Sequence, residues 1–497
     1  MPDQVTPPLP ENLYRAAQVR ELDRLAIKEK GVAGFTLMER AGLAAFNVLQ
    51  ECWPRARHIG VVCGAGNNAG DGYIVAECAR EHGLPVKLHA LTDPAELKGD
   101  AGTAADAFLN NNGKLEGSIS DVLEFADVIV DAVLGTGLDR NLSGAYLQAV
   151  QAVNASGKPV LAVDIPSGLN ADTGAVMGAA VQARHTVSFI GLKQGMFTGQ
   201  GGDCCGTIHF SDLDVPADIY RGVEPAARRV DYASLKSSLP KRKRSAHKGQ
   251  FGHVLVVGGD YGFAGAVRMA GEAAARGGAG LISIATRGEH TGIVTAARPE
   301  LMVRGVAEAG DLTPLLERAT VAAVGPGLGQ SPWAMALLAR LLETDLPLVI
   351  DADGLNLLAR EPAIRENWIL TPHPGEAARL LGCDAKAIEA DRFAAAAALQ
   401  KKYQGVIVLK GNGSLIADQK GRLSVCSAGN PGMASGGMGD VLTGIIAGLL
   451  AQGLTPDAAA CLGVCIHGAA GDRAARGGER GMLATDLFPY LRELVNP

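Results

Sequence analysis

At 497 residues the chain exceeds what a single core usually spans, so two or three domains are expected. Hydrophobic residues at 47% and charged residues at 20% fit a globular α/β protein, and 65 glycines suit its many tight strand-to-helix turns. A net charge of −6 speaks against nucleic acid as a partner, and the short basic cluster Lys241–Arg244 reads as a solvated linker. The nine cysteines include no Cys-x-x-Cys, and neither the adjacent Cys204 and Cys205 nor the helically spaced Cys461 and Cys465 match a zinc site or a disulfide framework. Reduced thiols in a cytoplasmic protein are therefore expected. The start, Met1 to Gln4, lacks a basic-then-apolar signal segment. The apolar stretch Val441 to Ala451 is too short for a bilayer, so no membrane association is expected.

Apolar residues at helical spacing between Asn12 and Ala45 predict two helices around Gly31–Gly34. A strand–helix alternation then begins. His58–Cys63 is a strand, followed by a glycine loop and a helix over Tyr73–His82. Further strands are expected at Val86–Ala90, Asp127–Asp131, Val160–Asp164 and Thr186–Ile190. Apolar runs that end in Asp fit buried parallel strands whose carboxyl ends hold functional loops. Periodicity fades between Pro216 and Arg244, which places a domain boundary near residue 225. The same grammar restarts with a strand and glycine turn at His253–Gly259 and a small-residue helix over Ala264–Arg276. Strands follow at Leu281–Ala285, Val321–Gly325, Leu348–Asp351, Trp368–Thr371 and Val406–Lys410. The fold class read from this pattern is α/β in two domains, 1–225 and 226–497, the first a Rossmann-like, three-layer doubly wound sheet.

The run Gly429 to Gly444 is the most informative in the chain: a glycine-rich loop ending in Asp440 and leading into an apolar helix. Small residues let backbone N–H groups approach a phosphate, and a helix N-terminus adds positive potential. An Asp there can take the proton from a hydroxyl that attacks phosphorus, so phosphoryl transfer to an alcohol is expected. Three other segments follow strands. Thr371–Glu376 stiffens His373 between two prolines, Lys410–Ser414 offers a cation, N–H groups and a hydroxyl for a nucleotide, and Gly325–Gly329 is a tight turn. No Gly-x-x-x-x-Gly-Lys-Ser/Thr run is present, which disfavours a P-loop ATPase.

In the first half the loop Gly64–Gly72 has glycines spaced Gly-x-Gly-x-x-x-Gly, and the strand ending at Ala90–Leu91 carries no acid for a ribose hydroxyl. A Rossmann oxidoreductase is therefore a poor match. Asn67, Asn68 and Asp71 offer oxygen ligands and amide donors. Asp131, leading into Gly135-Thr136-Gly137, and Asp164, leading into Ile165-Pro166-Ser167-Gly168, add two carboxylates on the same expected sheet edge.

Thr371-Pro372-His373-Pro374-Gly375-Glu376, Val408-Leu409-Lys410-Gly411 and Gly436-Gly437-Met438-Gly439-Asp440 together resemble the ribokinase-like fold, and within it the ADP-dependent NAD(P)H-hydrate dehydratases. The segments Lys248–His253, Gly258-Gly259 and Ala264-Gly265-Ala266 agree, so the resemblance runs from about Tyr232 to the C-terminus. It implies phosphorylation of the C6 hydroxyl of hydrated NADH or NADPH by ADP, then elimination to NAD(P)H with release of AMP and phosphate. It also implies a nucleotide against Lys410, Gly411, Asn412, Gly413, Ser414 and Gly439. The hydrated cofactor falls near Ala264, Gly327, His373 and Asp440, with Asp440 as the catalytic base. Magnesium is implied at the phosphates, without an evident carboxylate set.

Gly66-Asn67-Asn68-Ala69-Gly70-Asp71-Gly72, Asp131 with Gly135-Thr136-Gly137, and Asp164-Ile165-Pro166-Ser167-Gly168 are together similar to the NAD(P)H-hydrate epimerases, over residues 12 to 215. Ala69 stands where that family usually has Gly. The resemblance implies potassium on Asn68, Asp131 and Ser167. It implies contact with the hydrated cofactor by Asn67, Asn68, Ala69, Gly70, Asp71, by Gly135, Thr136, Gly137, Leu138, Asp139, Arg140, Asn141, and by Asp164, the expected acid or base at C6. The expected partners are the small molecules NADHX, NADPHX and ADP, and a homo-oligomer is compatible with the sequence. Two other readings stay open: a vitamin-precursor kinase that ends in a stable phosphoester, and a first half that is only a binding or scaffold module.

Overall fold

The computed structural model describes residues 9–496, which form two compact units that part between Arg228 and Arg229. The first unit holds six parallel strands in the spatial order Val86–Ala90, Ile59–Cys63, Val128–Ala132, Val160–Val163, His185–Phe189 and Thr207–Ser211. Side chains alternate across this sheet. Ile59, Val61 and Cys63 join one core with Tyr73, Val75 and Phe108, whereas Val62 joins another with Val122, Val150 and Val153. Helices Gly34–Cys52, Asn67–Glu81 and Gly99–Asn110 cover the first face, and Ile119–Phe125 and Gly144–Ala155 the second. This is the expected three-layer sheet. From Ile59–Cys63 the chain moves outward to Val86–Ala90 and then back to Val128–Ala132. Loops leaving Cys63 and Ala132 therefore diverge, and a crevice opens at the carboxyl ends of the strands.

Several boundaries differ from the sequence pattern for physical reasons. The helix expected from Tyr73 starts at Asn67, because Gly66 at φ 85° turns the chain abruptly and the small residues that follow fit a buried first turn. Asn12–Tyr14, expected to begin a helix, is a short strand that pairs with Leu192–Lys193 and with Ala227–Arg229. Thr207–Ser211, at the sheet edge, carries His209 and Ser211 and lacks the apolar run of a central strand.

The second unit carries seven parallel strands in the order Met302–Gly305, Leu281–Thr286, His253–Val257, Val321–Val324, Leu348–Ile350, Trp368–Leu370 and Val406–Leu409. Antiparallel Ser414–Ala417 and Leu423–Cys426 extend it. Chain order reverses between His253–Val257 and Val321–Val324. Helix Met438–Ala451 packs on Ala264–Arg276 without room for side chains between them: a Cβ on Gly444 would strike the Ala270 carbonyl oxygen, and one on Gly448 would meet that of Ala274 at 2.7 Å. Each step of four residues on one helix matches four on the other, so the two run parallel. Both N-termini consequently point to the same end of the sheet. No described helix is long and apolar enough to cross a membrane.

Candidate active sites

In the first unit a cavity of about 480 Å³ opens at the switch point. Its wall takes Asn67, Asn68 and Asp71 from the start of a helix, Gly135–Gly137 from the loop after Val128–Ala132, and Asp164 from the end of Val160–Val163. In strand Val128–Ala132 Asp131 is fully buried, and its Oδ1 accepts a bond from Ser167 Oγ at 2.6 Å while Oδ2 accepts from Ser167 N at 2.8 Å. Burial pushes this carboxyl up to about 6 despite those bonds. Asn68 is 7% exposed, yet neither atom of its amide has a hydrogen-bond partner. Orphaned buried polar atoms are costly, and an amide oxygen, a hydroxyl and a carboxylate are oxygen donors of the kind that suit a hard cation.

Asp164 sits in the left-handed region at φ 68°, rare for a residue with a side chain and worth about 1–3 kcal/mol of strain. Its Oδ1 is ion-paired with Lys193, whose side chain is completely buried and also donates to Ser188 Oγ at 3.1 Å. Two more carboxyls face this pair. Burial, then the neighbouring Asp164, pushes Asp23 up to about 6, against the pull of Lys193. Burial and the charges of Asp164 and Asp23 push Asp71 well above the usual range. Three acids thus gather at one end of the cavity around one buried lysine.

In the second unit Lys410 Nζ lies 2.5 Å from Asp351 Oδ1 and 3.7 Å from Glu376 Oε2. Asp351 Oδ2 accepts from Thr443 Oγ1 at 2.9 Å. Burial works to raise the Asp351 carboxyl, but Lys410 and the hydroxyls of Thr443 and Thr371 more than offset it and hold it below the ordinary value. Asp440, in the first turn of helix Met438–Ala451, is in the opposite state. Burial and the charge of Asp351 push it up to about 7, only partly offset by Lys410. A Cβ on Gly439 would meet Asp351 Oδ2 at 3.2 Å and Lys410 Nζ at 3.4 Å, so the bare backbone brings the helix N-terminus onto the ion pair. His373 caps helix Pro374–Leu381, its Nδ1 accepting from Gly375 N at 2.9 Å, while Glu376 returns a carboxylate to His373 N at 2.7 Å. Gly327 and Ala264 belong to a neighbouring corner. The Gly325–Gly327 loop is clipped to Gly258–Asp260 by Gly259 N to Pro326 O at 3.0 Å and Asp260 N to Gly327 O at 2.7 Å. A Cβ on Gly327 would crowd Phe263 and Ala266 at the start of the other parallel helix.

The chain is 53% identical over 98% of its length to the bifunctional NAD(P)H-hydrate repair enzyme Nnr of Coxiella burnetii, covering 99% of that protein. It is 46% identical to the Nnr of Escherichia coli K12, over 98% of this chain and 95% of that one. The chain belongs to the bifunctional NAD(P)H-hydrate repair enzymes. Residues 254–493 match the NAD(P)H-hydrate dehydratase family, and residues 34–195 match the YjeF-related protein N-terminus. A ribokinase-like superfamily protein from Enterococcus faecalis V583 is similar in structure, with a TM-score of 0.51 at 32% identity over 54% of this chain and 95% of its own. The first unit is thus the epimerase domain, and the second the ribokinase-like dehydratase domain.

In the epimerase domain the cavity wall includes Asn67, Asn68, Asp71, Gly135, Thr136, Gly137 and Asp164, with Ala69 and Gly70 buried just behind it. Leu138 to Asn141 run on past the wall, where Asn141 lies against Gly178. Lys193 and Asp23 were not legible as site residues. The signals available were a lysine bracketed by glycines in Gly191-Leu192-Lys193-Gln194-Gly195, and an acid four residues after Val19 beside an apolar stripe. In the dehydratase domain Lys410, His373, Gly439 and Asp440 gather around one carboxylate that pattern alone missed, Asp351, together with Glu376 and Thr443. Gly411 to Gly413 form the turn into strand Ser414–Ala417, where Ser414 Oγ donates to Gly411 O at 3.2 Å and the Arg392 guanidinium donates to Lys410 O at 3.1 Å. His467 was also missed. Burial pulls its imidazole down to about 4, and its Nε2 has no partner beneath the glycine-rich loop.

Proposed function

We propose that each domain reacts at the same atom, C6 of the hydrated nicotinamide ring, and that the two sites divide the chemistry by stereochemistry. The epimerase site interconverts the R and S hydrates, and the dehydratase site consumes the S hydrate with ADP. The observation that supports this most is Asp440: a carboxyl buried at a glycine-rich helix N-terminus, held near neutral pH beside Lys410. A base poised there can accept a hydroxyl proton near physiological pH.

At the dehydratase site Asp440 takes the proton of the C6 hydroxyl as its oxygen attacks the terminal phosphorus of ADP, and AMP departs. The helix N-terminus with its glycine run then faces the new phosphoester. Loss of phosphate from C6, pushed by the ring nitrogen, and of a proton from C5 restores the double bond of NAD(P)H. Lys410 stays anchored to Asp351 and Glu376, which supports a role in presenting positive charge to the nucleotide through a rigid mount. Gly411 to Ser414, His373, Gly327 and Ala264 line the approaches for nucleotide and hydrate. Magnesium bound with the nucleotide would shield phosphate charge, and few carboxylates are left to it, since Asp351 and Glu376 face Lys410.

At the epimerase site C6 carries both a hydroxyl and the ring nitrogen. Opening the C6–N1 bond requires a base at the hydroxyl and an acid at the nitrogen. Asp164, oriented by the buried Lys193, takes the hydroxyl proton, Asp71 on the same wall, kept protonated by burial, gives one to N1, and closure on the other face gives the other epimer. Asn68, Asp131 and Ser167 would hold potassium, which would neutralise buried Asp131 and offer an electrophilic contact for substrate oxygen. The free thiols among the described residues agree with a cytoplasmic setting.

A test offers the wild-type chain and Asp164→Asn a mixture of the two hydrates with ADP. Wild type is expected to consume both epimers, and the variant to stop after the S form, apart from slow spontaneous conversion. Equal consumption of both by the variant would show that Asp164 is not the epimerising group.

A further inference from the structure

The epimerase domain carries a second cluster of chemistry-bearing side chains that the reaction does not use. Cys52 ends helix Gly34–Cys52, His185 begins strand His185–Phe189, and His209 is central in the edge strand Thr207–Ser211. The two strands are parallel neighbours with Val187 opposite His209, so His185 and His209 share the face onto which the helix end packs. Cys52 Sγ lies 3.5 Å from His185 Nδ1 and 3.9 Å from His209 Nε2, and those two nitrogens are 3.0 Å apart. We propose that Cys52, His185 and His209 form a zinc(II) site, with one thiolate, two imidazoles and a fourth position open to solvent or an added ligand.

The triangle of donor atoms has the right size. Zinc bonds of about 2.3 Å to sulfur and 2.05 Å to nitrogen at a tetrahedral angle set S···N edges of about 3.6 Å and an N···N edge of about 3.3 Å. The two observed S···N edges bracket the first value, and the N···N edge of 3.0 Å is slightly shorter than the second. Mixed sulfur and imidazole donors favour zinc over the hard cations that suit the oxygen-lined pocket of Asp131. The edge of Trp53 packs against the His185 ring, with centroids 4.9 Å apart, which fixes the ring's orientation. A surface cavity lined by Trp53, Arg55 and His58 reaches Cys52. His185 is at the opposite end of its strand from Phe189, which lines the epimerase cavity, about 13 Å away at 3.3 Å per residue. The site therefore ties a helix end to a sheet edge and takes no part in epimerisation.

The test uses the untagged full chain, stripped with a chelator and titrated with cobalt(II) and with zinc(II). Cobalt is expected to give the intense visible bands of a tetrahedral complex together with thiolate-to-metal charge transfer, and stoichiometric zinc is expected to abolish both. Cys52→Ser should lose the charge-transfer band, His185→Gln and His209→Gln should lose stoichiometric binding, and all three should keep both activities. Zinc should raise the melting temperature of wild type but not of Cys52→Ser. A weak octahedral cobalt spectrum in wild type, or a charge-transfer band that survives Cys52→Ser, would overturn the assignment.

Discussion

Replacing Asp440 by Asn separates a catalytic carboxylate from a structural one, because the two roles require opposite changes in stability. Asp440 is pushed from 3.8 to about 7 by burial and by Asp351. A carboxyl whose folded pKa lies above its unfolded value binds its proton more tightly when folded. Its contribution is therefore complete below about pH 4 and is lost as pH rises through about 7. A shift of about three units at 1.36 kcal/mol per unit means that ionised Asp440 costs the folded domain on the order of 4 kcal/mol above pH 7. Asp440→Asn removes that cost. The full chain carrying it should melt higher than wild type at pH 8, with the gain shrinking toward pH 5. Dehydration should be lost, while R-to-S conversion proceeds at the wild-type rate. In wild type, kcat/KM for dehydration should rise with pH through an apparent value near 7 as the base ionises, read from recovery of dihydronicotinamide absorbance. A variant that is less stable at pH 8, or one that dehydrates at a wild-type rate, would refute the assignment of a strained, functional carboxylate.

Other substitutions bear on the remaining parts. Lys193→Met leaves Asp23, Asp71 and Asp164 without their buried cation, and should cost about 3–5 kcal/mol in a denaturant melt and remove epimerase activity. Asn68→Ala should reduce epimerisation and abolish its response to potassium, measured by replacing potassium with a large organic cation, whereas dehydration of pure S hydrate should not change. Gly439→Ala puts a methyl 3.2–3.4 Å from Asp351 and Lys410, which the ion pair must meet by giving a few tenths of an ångström, with no backbone in the way. Its effect should appear as a raised KM for nucleotide with little change in melting temperature. Gly444→Ala drives a methyl into the Ala270 backbone and should destabilise the dehydratase domain by about 1–3 kcal/mol.

Central parallel strands were legible because their apolar runs end in functional turns, as with Val128–Ala132 and Val160–Val163. Edge elements were not, since Thr207–Ser211 and Met302–Gly305 mix polar and apolar residues and take their pairing from tertiary context. Residues of the candidate sites that stand in glycine-rich motifs, Asn68, Asp71, Asp164 and Asp440, draw attention in the local sequence. Lys193, Asp23 and Asp351 could not. Each acts through a partner far away in the chain: Lys193 lies 29 residues from Asp164, and Asp351 lies 59 residues from Lys410. The same holds for Cys52, His185 and His209, which match no local metal-ligand spacing and meet only when a helix end is laid on two neighbouring strands.

The central claim is that phosphorylation of a hydroxyl prepares its departure. It is tested most directly by product analysis of the full chain with an R and S hydrate mixture and ADP. The expected result is NAD(P)H, AMP and free phosphate in equal amounts, from both epimers, with no recovery of NAD(P)H when nucleotide is left out. A phosphorylated hydrate that accumulates as a stable product, or NAD(P)H formed without nucleotide, would contradict it.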